Sequence, residues 1–402
     1  MTIAQDTKRQ RILVRSGWQT VNIGDIGHTP GLLRLLEDHV PEADVTLWPR
    51  SVDRGVEPML RRRFPKVGIV KGDIGEENKP TTEELATAFE EADFLLHGSG
   101  PGVVCHRDLW VWRRLTGKPY GIYGTTIEHP DDKLRDLLNG AKFVFTRDTK
   151  SITAVRAAGA SPPVLDFAPD ATFAIDLRND EAALAYMKEH GLAERQFICA
   201  IPRLRKTPYY KIHPSAKWTK EKIREVDALN EKHKEADHAK MRDVIIRWVR
   251  ETGMKVLVCP EMTYQVEIAR PLLIDPLPDD VKRNVVHRDS YWLPDEAGSV
   301  YRRAHTVVSF ECHSPIIAAA HGAPCFYLRQ PTDTIKGHMY HDIGLSDWTF
   351  EIDEVQGRDI ADRLMAVQAD YPTALAYLAA AMNTVRRRQT ESMAVVRQSV
   401  KA

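Results

Sequence analysis

The chain has 402 residues, more than the roughly 100 to 200 of a typical domain, which indicates two domains and a cleft between them. Lysine plus arginine and aspartate plus glutamate both number 56, so no net charge steers the molecule towards nucleic acid or an anionic membrane surface. No apolar run approaches the roughly 20 residues of a membrane span, and the polar opening has no signal-peptide pattern. We therefore expect a cytoplasmic protein with no membrane span and no nucleic-acid partner.

The cysteines and histidines give no metal-binding signature. The five cysteines are scattered and odd in number, which argues against a disulfide framework and a cysteine-based zinc site. His338 and His341 are three residues apart, but no nearby carboxylate completes a known ligand pattern. We expect no metal.

Short apolar runs alternate with longer amphipathic stretches along the chain, which is typical of parallel strands joined by crossover helices. In the first half, the predicted strands are 11–15, 44–48, 66–70, 93–98, 120–124 and 142–147. In the second half, they are 196–202, 255–261, 284–288, 305–310 and 323–328. This spacing fits two comparable sheets and an α/β fold.

The same pattern divides the chain into an N-terminal domain at 1–180, a C-terminal domain at 190–356 and a helical extension at 357–402. An aromatic and basic loop followed by a charged helix interrupts the second domain at 203–243. That segment is either a solvated helix face or a loop that overhangs the cleft, and it includes Tyr209.

Two glycine-rich stretches follow predicted strands, where α/β proteins bind ligands because helix amino termini point their N–H groups there. The first, SGWQTVNIGDIGHTPG, offers Asn22 and Asp25 and precedes a helix expected from about residue 31. It lacks the Gly-x-Gly-x-x-Gly and P-loop patterns, so a purely structural turn is the alternative. The second, HGSGPG, places Gly98 and Gly100 where backbone amides can receive sugar or phosphate oxygens.

Two later strand ends carry charged side chains. Asp148 could cap the helix that follows, whereas Arg147 has no comparable structural role and could bind a carboxylate or phosphate in a bidentate manner. Glu311 and His313 lie on a turn before a small-residue helix, and a histidine suits proton transfer near neutral pH unless it only satisfies the helix end. Because neighbours in an extended strand point to opposite faces, we expect Cys312 to face away from both.

Five stretches in this order, NIGDIG, HGSGPG, FTRDTKS, APDATFAI and ECHSPIIAAAHGAP followed by a lysine, resemble the polysaccharide pyruvyl transferase family over most of residues 11–355. The resemblance implies a GT-B-like fold, in which two Rossmann-like domains face a cleft. It implies transfer of the enolpyruvyl group of phosphoenolpyruvate onto two hydroxyls of a glycan acceptor, giving a ketal, with no metal and no cofactor beyond this co-substrate.

The resemblance also implies residue roles. Arg147 matches the arginine that holds the donor anion, and His313 matches the general acid or base. The substrate-binding candidates are Asn22, Asp25, Gly98, Gly100, Arg205, Tyr209 and Lys336. A homo-oligomer is compatible with the sequence.

The chain departs from the family pattern at Glu311, because the family has an arginine two residues before the histidine. A glutamate about 4 Å from a phosphate repels it by about 4 kcal/mol per unit charge at an effective dielectric near 20. The donor would therefore need Arg205, Arg302 or Arg303 to approach. The alternatives are a carbohydrate hydrolase, cleaving a glycoside or a ketal with Glu311 and His313 as acid and base, and a non-catalytic module that binds a sugar or nucleotide.

Overall fold

The computed structural model describes residues 9–213 and 216–401, which form two compact units. The first unit contains the described residues up to Thr20, His28–Ala174 and the end of the chain from Val385. The second contains Val21–Gly27 and Ile175–Thr384. Each unit has a parallel sheet with helices, and the C-terminal stretch is helical, which confirms the predicted fold class of two Rossmann-like α/β domains with a helical extension.

The sheet of the first unit has seven strands, and all neighbouring strands run parallel. They are β1 (Arg11–Ser16), β2 (Asp44–Pro49), β3 (Gly68–Ile69), β4 (Phe94–His97), β5 (Tyr120–Thr125), β6 (Val144–Thr146) and β7 (Leu165–Phe167). Their spatial order is β3-β2-β1-β4-β5-β6-β7, so the order reverses between β1 and β4 as in doubly wound sheets.

Six α-helices begin between residues 9 and 174. They are α1 (Ile23–His39), α2 (Val56–Arg63), α3 (Glu83–Glu91), α4 (His106–Thr116), α5 (Asp132–Gly140) and α6 (Thr149–Ala157). The side chains of Thr82, Asp131 and Asp148 each accept a hydrogen bond from the amide three residues further on, which caps α3, α5 and α6. The capping interpretation of Asp148 is therefore confirmed.

The core of the first unit contains a column of aromatic rings. Phe89 packs edge-on against Trp48 and Trp112, with ring centroids 5.4 and 5.2 Å apart. Arg15 lies over the Trp48 ring, 4.2 Å from its centroid, and forms a buried ion pair with Asp108 at 2.7 Å. These contacts fix α3 and α4 against the sheet.

The sheet of the second unit has six parallel strands. They are β8 (Phe197–Ile201), β9 (Lys255–Val258), β10 (Val285–His287), β11 (Thr306–Ser309), β12 (Cys325–Arg329) and β13 (Thr349–Glu351). Their order is β10-β9-β8-β11-β12-β13, so this sheet switches direction between β8 and β11.

The α-helices that begin after residue 174 vary greatly in length. They are α7 (Asp180–Glu189), α8 (Tyr209–Ile212), α9 (Lys220–Thr252), α10 (Gln265–Ala269), α11 (Asp279–Lys282), α12 (Pro294–Tyr301), α13 (His313–Ala320), α14 (Met339–Asp342), α15 (Gly357–Ala369) and α16 (Tyr371–Lys401). Helix α15 packs against α9. In the described part of the chain, no helix combines the length and apolar character needed to cross a bilayer.

The structure corrects three sequence-based expectations. The edge strand β13 is not predicted from the sequence, because three residues give too little apolar pattern. Helix α1 begins at Ile23 and not near residue 31, because the Asn22 side chain accepts hydrogen bonds from the amides of Gly24 and Asp25, at 2.6 and 3.3 Å. The charged segment after Thr219 is one helix, and its buried residues show that it is not only a solvated face.

The close approach of α1 to a neighbouring backbone predicts the effect of one substitution. A Cβ added to Gly31 would lie 2.0 Å from the carbonyl oxygen of Ala171. Alanine favours a helix over glycine by about 1 kcal/mol, but a backbone overlap cannot be relieved by a rotamer change. We expect Gly31→Ala to destabilise the protein by about 1 to 3 kcal/mol, measured as a lower urea midpoint.

Gly102→Ala is the matched control, because its added Cβ would have no neighbour closer than 3.9 Å. A Gly31→Ala protein that unfolds at or above the wild-type urea concentration would contradict the prediction.

Candidate functional site

Charged side chains converge at the carboxyl edge of the second sheet. Parallel strands end at the same edge, so residues that follow β8, β9, β11 and β12 meet there. We call this group the sheet-edge cluster, and it consists of Arg203, Glu261, Glu311, His313, Asp333 and Lys336.

Arg203 links two loops of the cluster. Its Nε lies 3.2 Å from Oε1 of Glu311, and its Nη1 pairs with Asp333. The Arg203 side chain is only 9% exposed. Burial by itself lowers the pKa of Arg203, but the carboxylates of Asp333 and Glu311 outweigh it and raise the pKa above its ordinary value. Arg203 is thus a permanent buried cation.

Glu311 is held between two donors. Its Oε1 accepts a hydrogen bond from Nε2 of Gln265 at 2.8 Å, in addition to the contact with Arg203. Burial raises the pKa of Glu311 from 4.5 to about 7, although the nearby Arg203 lowers it. The carboxyl group is therefore partly protonated near neutral pH. A donor phosphate about 4 Å away would meet less than the repulsion of about 4 kcal/mol that a fully charged glutamate exerts.

His313 begins α13 beside a second carboxylate. Its Nδ1 lies 3.7 Å from Oε1 of Glu261. The other oxygen of Glu261, Oε2, accepts hydrogen bonds from the backbone N and Oγ of Ser314, at 2.5 and 2.7 Å. Glu261 therefore caps the start of α13 with Oε2, and its other oxygen places an acidic group close to the imidazole without a hydrogen bond to it.

Cys312 does not face away from His313, so that expectation is wrong. Its Sγ lies 3.3 Å from Nδ1 of His313. The extended strand ends at Ser309, and Cys312 has helical dihedral angles, φ −84° and ψ −19°. The alternation of side chains along a strand therefore no longer applies at this position.

Lys336 is the second cation of the cluster. Its Nζ lies 3.7 Å from Oδ1 of Asp333, the residue that also pairs with Arg203. Burial lowers the pKa of Lys336, but the neighbouring Cys312 and Asp333 outweigh it and raise the pKa. Tyr327 donates a hydrogen bond to Oδ2 of Asp333 at 2.6 Å. One carboxylate thus supports two cations.

The first turn of α1 belongs to the second unit and docks next to Glu261. The amide of Ile23 donates to the carbonyl of Glu261 at 3.0 Å, and Asn22 forms a β-bridge with Met262. A Cβ on Gly24 would lie 2.3 Å from Cβ of His313, so only glycine permits this approach. Asn22 and the buried Asp25 flank Gly24, so they lie on the same side of the unit as His313. The side-chain oxygen of Asn22, Oδ1, already accepts a hydrogen bond that caps α1.

Three other candidates have structural partners. Arg205 is paired with Asp237 at 2.8 Å and with Asp353. Tyr209 packs against the buried Val21, Met262 and Tyr264. Arg303 is paired with Asp180 at 2.7 Å. The arginine that meets Glu311 is therefore Arg203, and not Arg205 or Arg303.

Arg203 and Glu261 belong to the sheet-edge cluster, although the sequence did not identify them as site residues. Arg203 stands two residues before Arg205 in the segment RLR after β8, and only packing decides which guanidinium turns to which acid. Glu261 was included in a predicted strand, although β9 ends at Val258. Its position after a strand and a proline was the available signal.

Arg147 has a structural partner that the sequence did not reveal. Its side chain is fully buried, with Nη1 2.7 Å from Oδ2 of Asp170 and Nε donating to Oγ1 of Thr126 at 2.8 Å. The ion pair joins the end of β6 to the segment after β7. The expectation that Arg147 lacks a structural role is therefore wrong.

The glycine-rich loop after β4 packs tightly against the first strand. A Cβ on Gly98 would lie 2.9 Å from Oγ of Ser16, and one on Gly100 would lie 2.8 Å from Nε1 of Trp18. Trp18 also donates a hydrogen bond to the carbonyl of Ser99 at 2.6 Å. Close packing accounts for both glycines, and ligand binding by this loop stays a prediction.

The buried proton of Glu311 predicts a pH-dependent stability. The folded state binds this proton more tightly than the unfolded chain does, so the wild-type stability falls as the pH rises from about 4.5 to about 7. In Glu311→Gln the group does not titrate. Relative to the wild type, we expect this variant to gain about 2 to 3 kcal/mol between pH 5 and pH 8, measured by urea unfolding at both pH values.

Glu225→Gln, on the exposed face of α9, is the control and should follow the wild type at both pH values. If Glu311→Gln also followed the wild type, the buried-proton interpretation would be wrong.

Solved structures define the class of this fold. The chain is 11% identical to Anabaena Alr3699/HepE, with a TM-score of 0.57, covering 96% of this chain and 98% of that one. It is 15% identical to Escherichia coli ADP-heptose lipopolysaccharide heptosyltransferase II, with a TM-score of 0.52 and coverage of 90% and 100%. It is 10% identical to Neisseria meningitidis UDP-GlcNAc 2-epimerase, with a TM-score of 0.54 and coverage of 92% and 94%. At these identities the similarity shows the fold alone, which is GT-B-like.

The family is shown by a sequence model. The model of the family described as polysaccharide pyruvyl transferase matches residues 22–330, which is more than half of the chain. The chain belongs to the polysaccharide pyruvyl transferase family, and this membership supports a carbohydrate-modifying enzyme. The matched segment contains most of the sheet-edge cluster but ends before Asp333 and Lys336. A search of curated proteins finds no match.

Proposed function

We propose that the protein transfers the enolpyruvyl group of phosphoenolpyruvate onto two hydroxyls of a sugar, forming a pyruvate ketal and releasing phosphate. One observation carries this proposal. A histidine beside a buried carboxylate, His313 with Glu261, lies in the same cluster as two cations, Arg203 and Lys336.

The two cations suit an anionic donor. Phosphoenolpyruvate carries a carboxylate and a phosphate, and preorganised cations in a water-poor site stabilise such charges strongly. We assign donor binding to Arg203 and Lys336, whose side chains are 9% and 18% exposed, and not to Arg147, whose side chain is 0% exposed. Partial protonation of Glu311 reduces the repulsion that the donor meets.

The histidine suits the proton transfers of the reaction. As the first sugar hydroxyl attacks the carbon that bears the phosphate, His313 delivers a proton to the methylene carbon and takes up the hydroxyl proton. The second hydroxyl then displaces the phosphate, and its proton leaves with that group. Oε1 of Glu261 lies 3.7 Å from Nδ1 of His313, so an acidic group stays beside the imidazole during these steps.

Solved structures of the same fold support a saccharide as the acceptor. The Anabaena protein was solved with UDP and glucose, and the Neisseria epimerase with UDP-GlcNAc. We carry over to this chain only the sugar, because the proposed donor is not a nucleotide.

Turnover tests the proposal. We expect the purified protein to release phosphate from phosphoenolpyruvate only with a suitable sugar, and to add one pyruvate ketal to it, detected by mass spectrometry. His313→Ala should lower kcat by about 100-fold or more, the usual contribution of a general acid or base. Glu261→Gln should lower kcat by about tenfold with little change in KM for the donor, because Glu261 lies beside His313 and its own side chain is 0% exposed.

His39→Asn, at the end of α1, is the control histidine variant and should keep wild-type activity. Absence of phosphate release across a broad set of sugar acceptors, or full activity in His313→Ala, would reject the proposal.

A second candidate is a carbohydrate hydrolase, favoured by the pKa of Glu311 near 7. A carboxylic acid that stays protonated near neutral pH can protonate a leaving oxygen of an acetal or ketal. This function predicts cleavage of a glycan in the absence of phosphoenolpyruvate, lost in Glu311→Gln. Unchanged cleavage by that variant would exclude Glu311 as the acid.

A further inference from the structure

The first unit contains a surface groove that neither the sequence motifs nor the proposed reaction uses. The groove has a volume of about 560 Å³ and lies between α4 and α5. We call it the α4–α5 groove, and the residues that matter for its chemistry are His106, Arg107, Trp110, Asp132, Lys133 and Asp136. Its size is within the range of about 300 to 1,000 Å³ that is usual for ligand sites.

An exposed tryptophan forms the apolar surface of the groove. Trp110 is 39% exposed, although large aromatic side chains are usually buried. The guanidinium of Arg114 lies over the indole, 4.8 Å from the ring centroid, and restricts how the ring can move. A flat, partly fixed indole at the surface suits stacking against the C–H face of a sugar ring.

The acidic residues of the groove are already neutralised. Asp136 pairs with Arg113 at 2.5 Å, and Asp132 pairs with Arg135 at 3.0 Å. Neither arginine is among the groove-lining residues. The carboxylates therefore contribute hydrogen-bond acceptors but little net charge.

Arg107 and Lys133, in contrast, form no ion pair with an acid in the described part of the chain. Arg107 donates hydrogen bonds to the side-chain oxygen of Asn78 at 3.0 Å and to the carbonyl of Gly75 at 2.5 Å, both uncharged groups. Within residues 9–213 and 216–401, Lys133 forms no ion pair with an acid. The groove thus keeps an excess of positive charge and complements an anion.

The position of the groove connects it to the edge where ligands bind in α/β proteins. Helices α4 and α5 follow β4 and β5, and the groove residues come from the first two turns of each helix. The amino ends of such helices lie at the carboxyl edge of the sheet. A chain-like ligand in the groove would therefore extend to this edge.

We propose that the α4–α5 groove binds an acidic segment of a glycan, with Trp110 stacked on a sugar ring and Arg107 and Lys133 facing its carboxylate. A helical peptide is a poorer occupant, because helices dock through several apolar anchors and only Trp110 and Leu137 are apolar among the groove-lining residues. The inference rests on the proposed function in one respect, since the glycan would be the acceptor.

Calorimetric titration of the full chain without donor tests the groove. We use an oligogalacturonate as the acidic probe and a neutral galacto-oligosaccharide as its counterpart. The acidic probe should bind more tightly than the neutral one. Trp110→Ala should weaken binding of the acidic probe by about tenfold, because it removes a central aromatic anchor. Lys133→Glu should weaken it by several-fold at low salt and less at high salt, because exposed charges are screened.

Leu115→Ala is the matched control, since this residue is on the same helix, is 45% exposed and lies outside the groove. Leu115→Ala should bind the acidic probe like the wild type. His313→Ala should also bind it like the wild type, because His313 is outside the groove. If the wild-type protein binds the acidic probe but transfers no pyruvyl group to any sugar, only the proposed reaction is rejected. Wild-type affinity in Trp110→Ala, or equal affinity for the neutral probe, would overturn the groove assignment.

Discussion

The buried guanidinium of Arg203 is the interaction on which the second unit's site depends. A charge in the protein interior is costly unless it is paired and hydrogen-bonded. Arg203 meets this requirement through Asp333 and Glu311, which follow two other strands of the same sheet. In the sheet, β8 lies next to β11, and β11 lies next to β12. The guanidinium of Arg203 therefore connects the loops that follow three spatially adjacent strands.

The pairing of Arg203 also determines the chemistry that surrounds His313. Asp333 is shared with Lys336, so the cluster holds two cations on one carboxylate, while burial keeps a proton on Glu311 for part of the time. Glu261, which follows β9, caps α13 and places a second carboxylate close to the imidazole. A glutamate in place of the family's arginine is therefore compatible with an anionic donor, because Arg203 approaches from another strand and Glu311 need not carry a full charge.

Two arginines at strand ends show why local sequence is an incomplete guide to a site. Arg147 was predicted to bind a ligand, yet it forms an ion pair with Asp170, 23 residues further along the chain. Arg203 was not predicted, yet it contacts Glu311 more than 100 residues away. Both follow strands of parallel sheets, and their immediate neighbours in sequence do not distinguish them. The difference comes from which acid the fold brings within reach.

The sequence by itself determined the α/β class, the positions of most strands, the helix cap at Asp148 and the family, because apolar periodicity, capping residues and motif order are local properties of a chain. Only the tertiary structure decided that Arg203 and Glu261 join Glu311 and His313, that Cys312 turns towards the imidazole, and that Asn22 starts a helix whose Gly24 touches His313. These outcomes depend on distances between residues far apart in sequence, and on the burial that shifts the pKa of Glu311. Neither quantity is encoded in any one segment.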